Sequence, residues 1–269
     1  MTGIDLDASE PLDCKPAIPG GFLTACWSHI AILNYRADPS RLMPLLPRGV
    51  ELDLWNGQTY VSMVGLLFEH LKILNVPVPF YRRFQQVNLR FYVRRLSEKG
   101  YRRGVVFIKE FVPYRSMIAA TWLLYNQRNS FARMAYRVET PSPAAEFQTT
   151  SCWSGKLSTA VEYCWQHSGR WNRMRVEATA SPEVPRAGSL EEFITRRHWG
   201  YCRRRGAALE FEVRRTEWLV SAGSGWLDCD SARLFGKDFS GLLSDEPASA
   251  LLSPGSPIAL SLATRWSAL

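Results

Sequence analysis

FQQVNLRFYVRR, residues 84–95, decides how the chain is read. Val87, Leu89, Phe91 and Val93 alternate there with Asn88, Arg90, Tyr92 and Arg94. A period of two is that of a β-strand with unlike faces. Turn-forming residues, Ser97 to Gly100, lead into a second apolar run, RGVVFIKEFV at 103–112, so the two segments read as an antiparallel hairpin. Upstream, Val50 to Trp55 and Gln58 to Phe68 flank Asn56-Gly57. That dipeptide is the strongest short hairpin signal.

The rest of the chain fits a domain of mixed β and α structure around a large, mostly antiparallel sheet. Phe22 to Tyr35 reads as a strand or two. Asp38-Pro39 opens a short helix, an N-cap aspartate followed by proline at the first helical position, with Leu42, Leu45 and Leu46 on its apolar face. Ser116 to Tyr125 is apolar nearly all round and predicts a buried helix capped by Ser116. Phe131 to Glu139 and Leu209 to Leu219 read as strands. Residues 140 to 188 hold strand pieces broken by Pro141, Pro143, Gly155 and Gly169. Ser189 to Glu192 form a capping box that predicts a helix to about Tyr201. Past Ser221 the pattern weakens. Residues 1–20, with three prolines, read as a flexible tail, and 21–269 as one domain.

The chain has 269 residues, 46% of them hydrophobic, enough to bury a substantial core. No apolar run approaches the roughly 20 residues that cross a bilayer. The N-terminal stretch MTGIDLDASEPLDCK is acidic and lacks the basic start and apolar core of a secretory signal. A cytoplasmic protein with no membrane partner is expected. The six cysteines are scattered, form no C-x-x-C pair, and read as free thiols. The net charge of +8 comes largely from arginines, many in pairs: Arg82-Arg83, Arg94-Arg95, Arg102-Arg103, Arg196-Arg197, Arg214-Arg215 and the triplet Arg203 to Arg205. Such a surface attracts nucleic acid or acidic ligands, or is simply solvated.

Glycine-rich phosphate loops, G-x-G-x-x-G and G-x-S-x-G are absent. The four histidines lie far apart, and Cys164 with His167 has no second ligand pair of the kind a structural zinc requires. Neither a metal nor a cofactor is expected. Candidate chemistry falls on the central hairpin. Asn88, Arg90 and Tyr92 share one face, which lines a wet cavity or meets solvent. Lys109 and Glu110 sit inside an apolar run and point to opposite faces. A buried charge needs a partner, a cavity or water. A desolvated Lys109 would be a base or amine nucleophile, and is the best catalytic candidate; the alternative is an amine at the rim.

Several stretches together resemble the YqjF-like family of unknown function: LDLWNGQTYVSMVGLLF (52–68), FQQVNLRFYVRR, RRGVVFIKEFVP, LLYNQ and GSLEEFITRRHWGYCRRRG (188–206). That family is similar to the acetoacetate decarboxylase superfamily. The resemblance implies an α+β fold in which a large curved sheet closes into a cone or barrel around a cavity, with a few flanking helices. It also implies a comparison of chemistry. The decarboxylases use a Schiff-base lysine beside a second lysine, in a G-F-P-K-K stretch after a central helix. The corresponding stretch here, Tyr125 to Asn129, holds no lysine, and Gln86 stands where a glutamate is expected. The expected function is therefore binding of, or action on, a small organic molecule such as a carboxylate, without Schiff-base decarboxylation. Asn88, Arg90, Lys109, Tyr125 and Asn126 are the expected ligand contacts. The alternative is a basic module binding nucleic acid through its arginine pairs. Whether the protein is an enzyme, and whether it is a homo-oligomer, stay open.

Overall fold

The computed structural model of the chain describes Ile18 and residues 20–126, 129–140, 158–204 and 207–266. In chain order its strands are β1 (Leu23–Ala37), β2 (Glu51–Leu52), β3 (Thr59–Ile73), β4 (Val76–Pro77), β5 (Arg83–Ser97), β6 (Gly100–Val112), β7 (Asn129–Phe131), β8 (Arg133–Glu139), β9 (Ala160–His167), β10 (Arg170–Ala178), β11 (Trp199–Arg204), β12 (Ala207–Arg215), β13 (Ser221–Asp228), β14 (Ser249–Leu260) and β15 (Thr264–Trp266). The helices are α1 (Pro39–Leu42), α2 (Arg115–Tyr125), α3 (Leu190–Thr195) and α4 (Ser231–Phe235). None of the described helices is long and apolar enough to cross a membrane. The tail expected over residues 1–20 lies, save for Ile18 and Gly20, outside the described residues.

All the strands belong to one mixed sheet. Its central run is β12-β11-β6-β5-β3-β1-β14. The ring closes where Val213, Arg214 and Arg215 of β12 pair with Leu260, Ala259 and Ile258 of β14. The closing seam is short and the sheet continues beyond it, so the architecture is a strand ring with an extension rather than the expected full barrel. From β14 the sheet runs on through β13, β10, β9 and β8 and folds back over the outside of the ring. There Tyr163, Trp165, Met174 and Val176 pack with Val61, Met63, Leu89 and Phe91 in one core. A second core, with Ile30, Ile32, Val64, Tyr92 and Ile258, fills part of the ring interior.

Local signals explain several elements. Asp38 caps α1 by accepting from Ser40 N at 2.8 Å. Ser189 accepts from Glu192 N to start α3, while Glu192 reaches back to Gly188 N at 2.5 Å. The β5–β6 hairpin forms with Ser97 opposite Gly100.

Other expectations are corrected. The turn at Asn56-Gly57 forms, both residues at positive φ, but Trp55 and Gln58 make only an isolated bridge. The first arm instead pairs with β5, which supplies a longer strand edge. Helix α3 stops at Thr195, because Trp199 to Tyr201 is claimed by β6 on one side and β12 on the other. Helix α2 is half-exposed rather than buried, with Trp122 and Leu123 in solvent and only Tyr125 fully covered. Tyr114, not Ser116, occupies its N-cap. Cys26 stands in a disulfide, against the expectation of free thiols, whereas Cys164 and Cys229 keep theirs. Pro141, Pro143 and Gly155 lie outside the described residues.

Candidate functional site

The ring interior is set by alternation along β5. Val64, Leu66 and Phe68 of β3 stand opposite Asn88, Gln86 and Phe84, so the even-numbered residues of β5 face inward. On β6 the inward residues opposite Tyr92 and Arg90 are Val105 and Phe107, yet opposite Asn88 the inward residue is Glu110. The parity changes because the β5–β6 register shifts between Leu89 and Arg90. This bulge puts an extra residue, Ile108, into β6. A β-bulge places two residues against one and re-aims the side chains beyond it. Without it, Lys109 would point inward; with it, Glu110 does.

The interior opens into a cavity of about 120 Å³. Its walls are mostly apolar, with Trp27, Phe68, Phe84, Phe107, Phe211 and Trp218 prominent. Toward one end, α3 packs Phe193 on Tyr60 and Tyr92. Toward the other, α2 contributes Met117, Thr121 and Tyr125. Gly200 also lines the cavity, and a Cβ there would lie 2.1 Å from the Phe211 ring.

Polar groups converge on this apolar space. Arg90, Arg197, Arg215, Gln86 and Glu110 all line it. Arg197 is held by the Asp53 carboxylate, by the Phe193 carbonyl at 2.6 Å and under the Phe193 ring at 4.0 Å. Arg215 lies against the Trp218 ring at 3.9 Å and donates to the Thr195 and Thr216 carbonyls. Burial, with the nearby Arg90 guanidinium, pushes Arg215 down to about 9. Arg90 makes no ion pair among the described residues, and its Nε is buried without a hydrogen-bond partner. Trp27 Nε1 is unpartnered in the same way. Glu110 is 3% exposed, and burial pushes its carboxyl up to about 8, opposed by a hydrogen bond from Gln86 Nε2 at 2.7 Å. At neutral pH it is mostly the protonated acid, a donor rather than a charge.

The structure brings together some of the residues expected from sequence and separates others. Arg90 and Tyr125 line the cavity, although the Tyr125 hydroxyl is turned to the Ser261 carbonyl at 3.2 Å. Asn88 shares their side of β5 and is buried, but does not border the open space. Asn126 caps α2 in the left-handed conformation and donates to the Arg203 carbonyl, outside the cavity. Lys109 is on the other face of β6. Its Nζ donates to the Leu234 carbonyl at 2.8 Å and stands 3.4 Å from His167 Nε2. Burial pushes Lys109 down, but its amine has no line to the ring interior. Among the described residues no lysine lines the cavity. Glu110, Arg197 and Arg215 were missed as site residues. A charge inside an apolar run, the signal that singled out Lys109, applies equally to Glu110.

Most of the arginine pairs are committed elsewhere. Arg94 pairs with Glu51, Arg95 and Arg102 with Glu210, Arg103 with Asp53, and Arg196 with Glu192 and Glu217.

Several solved proteins share this fold. The enduracididine biosynthesis enzyme MppR complexed with pyruvate superposes with a TM-score of 0.61 at 15% identity, covering 93% of this chain and 92% of that one. An acetoacetate decarboxylase-like enzyme from Sphingomonas wittichii RW1 gives 0.60 at 17% identity, over 93% and 95%. Acetoacetate decarboxylase from Legionella pneumophila gives 0.61 at 13% identity, over 98% and 93%. At these identities the likeness establishes the fold, which is acetoacetate decarboxylase-like. Within that fold, residues 24–257 match the DUF2071 family, described as uncharacterized conserved protein, and the chain belongs to it. The uncharacterized protein YqjF of Bacillus subtilis is 32% identical over 87 residues, 31% of this chain and 36% of that protein. The match therefore spans about a third of that relative's length.

Proposed function

We propose that the protein binds a small carboxylate with an apolar body, using the ring cavity as its site. The observation that carries this reading is the convergence of Arg90 and Arg215 on an apolar space whose one lining carboxyl, Glu110, is held protonated. Like charges lining one apolar space repel, and a ligand carboxylate taken up among them relieves the repulsion. Arg90 supplies the main contact, since its Nε is unengaged and a guanidinium binds a carboxylate through two parallel bonds. Trp27 Nε1 is a further free donor, and the aromatic walls take the apolar body. MppR, of the same fold, has been crystallised with pyruvate, itself a small carboxylate. The absence of lysine from the lining residues argues against amine catalysis. If a reaction occurs, Glu110 is the group placed to deliver a proton.

The test compares hexanoate with hexanol by calorimetry and by fluorescence of the cavity tryptophans. The carboxylate should bind at least about tenfold more tightly, the worth of a charge-assisted hydrogen bond, and Arg90→Ala should remove that margin. Equal affinity for acid and alcohol would overturn the reading. The nucleic-acid alternative has less support, because the arginine pairs it needs are mostly held by carboxylates.

A further inference from the structure

On its free edge β6 has two successive parallel partners. Gly104 to Val106 pair with β11, and Glu110 to Val112 pair with β7. Between them, residues 107–109 have no strand on that edge among the described residues, and this is where the bulge lies. Among the described residues the β6 ladder on this edge is therefore broken beside Phe107 and Glu110. Those two residues line the interior cavity and also an outer crevice.

The outer crevice differs in character from the cavity. It holds Arg48, Arg203 and Arg204, exposed and in no ion pair among the described residues, and also Lys109, whose amine is bonded to the Leu234 carbonyl. Arg203 is fixed by its own bond to the Pro44 carbonyl at 2.7 Å and by the bond its carbonyl receives from Asn126. Arg48, Arg203 and Arg204 thus bring three uncompensated cations to one crevice.

We infer that cavity and crevice are two halves of one site, and that the ligand is an elongated dianion. One carboxylate lies inside at Arg90 and Arg215, an apolar stem passes Phe107, and a second anionic group rests outside among Arg48, Arg203 and Arg204. This deepens the carboxylate reading and rests on it. The cavity alone asks only for a monocarboxylate; the unpaired crevice cations select for charge at the far end. The exposed cations act at short range, so the preference weakens as salt is added.

Calorimetry with two ligand series of matched chain, butanoate to decanoate and butanedioate to decanedioate, tests this on the full chain. At one length or more the diacid should bind at least about tenfold more tightly than the monoacid. In the double variant Arg203→Ser, Arg204→Ser that ratio should fall to near one. Arg90→Ala should weaken both series together. A diacid advantage at no length, or one that survives the double variant, would overturn the two-part site while leaving the cavity reading intact. Monoacids that fail to bind at all would remove the cavity reading, and the present inference with it.

Discussion

Glu110→Gln isolates the buried acid. Glutamine has the shape of the protonated side chain and can still accept from Gln86, so the fold loses only a titration. In the unfolded chain Glu110 ionises near 4.5; in the ring it holds its proton to about 8. Because the folded value is the higher, the folded chain carries the extra proton between those limits. Stability is then fully present below the lower value and falls as pH rises through the upper one. The interval is worth on the order of 5 kcal/mol, and each pH unit inside it costs about 1.4 kcal/mol. Other titrating groups contribute equally to both proteins, so the difference between them reports Glu110 alone. Urea unfolding followed by tryptophan fluorescence at a series of pH values is the assay. Near pH 5 the two proteins should be similar in stability; by pH 7 the variant should have gained roughly 2–3 kcal/mol on the wild type. Parallel profiles for the two proteins would refute the argument, for they would mean that Glu110 is hydrated or already paired with a cation.

Three further outcomes are expected. Borohydride reduction in the presence of pyruvate should leave the intact mass unchanged, since the Lys109 amine faces Leu234 rather than the cavity; an adduct at Lys109 would contradict the bulge. Asp53→Asn should destabilise the chain by about 3–5 kcal/mol in urea unfolding, because it strands the buried Arg197 guanidinium without its carboxylate. Gly65→Ala should cost roughly 1–3 kcal/mol: the new methyl would lie 2.2 Å from the Tyr163 ring, which is tethered by its hydroxyl to the His29 carbonyl at 2.7 Å.

The elements legible in the sequence were those whose signals are local. Alternation from Phe84 to Arg95, the turn at Ser97 to Gly100, and the caps at Asp38 and Ser189 each depend on residues a few positions apart, and each took the form the residues implied. Strand β14 was not legible. Its core reads SPGSP (residues 253–257), a turn by every local criterion, yet it pairs with β1 along its length. Its other edge passes from β13 at Ala250 to Leu252 to β12 at Ile258 to Leu260. Pro254 and Pro257 fall where that edge changes partner, the place in a sheet where a missing N–H matters least. The helix expected to reach Tyr201 failed for a related reason: two strand edges outcompeted a helical propensity worth only tenths of a kcal/mol per residue.

The candidate site divides along the same line. Sequence by itself determined that β5 has a polar face with Arg90 on it, and that β6 carries an isolated lysine and glutamate on opposite sides; that the polar face turns inward was decided by the ring. Which of those two charges enters the ring was decided by one inserted residue, because side-chain direction in a strand has a period of two and a single bulge inverts it. Arg215 reaches the cavity only because β12 closes on β14, and Arg197 only because a buried Asp53, far off in sequence, compensates it. Such placements depend on strand edges meeting across the chain, and that is settled when the ring closes, not by any residue's neighbours in sequence.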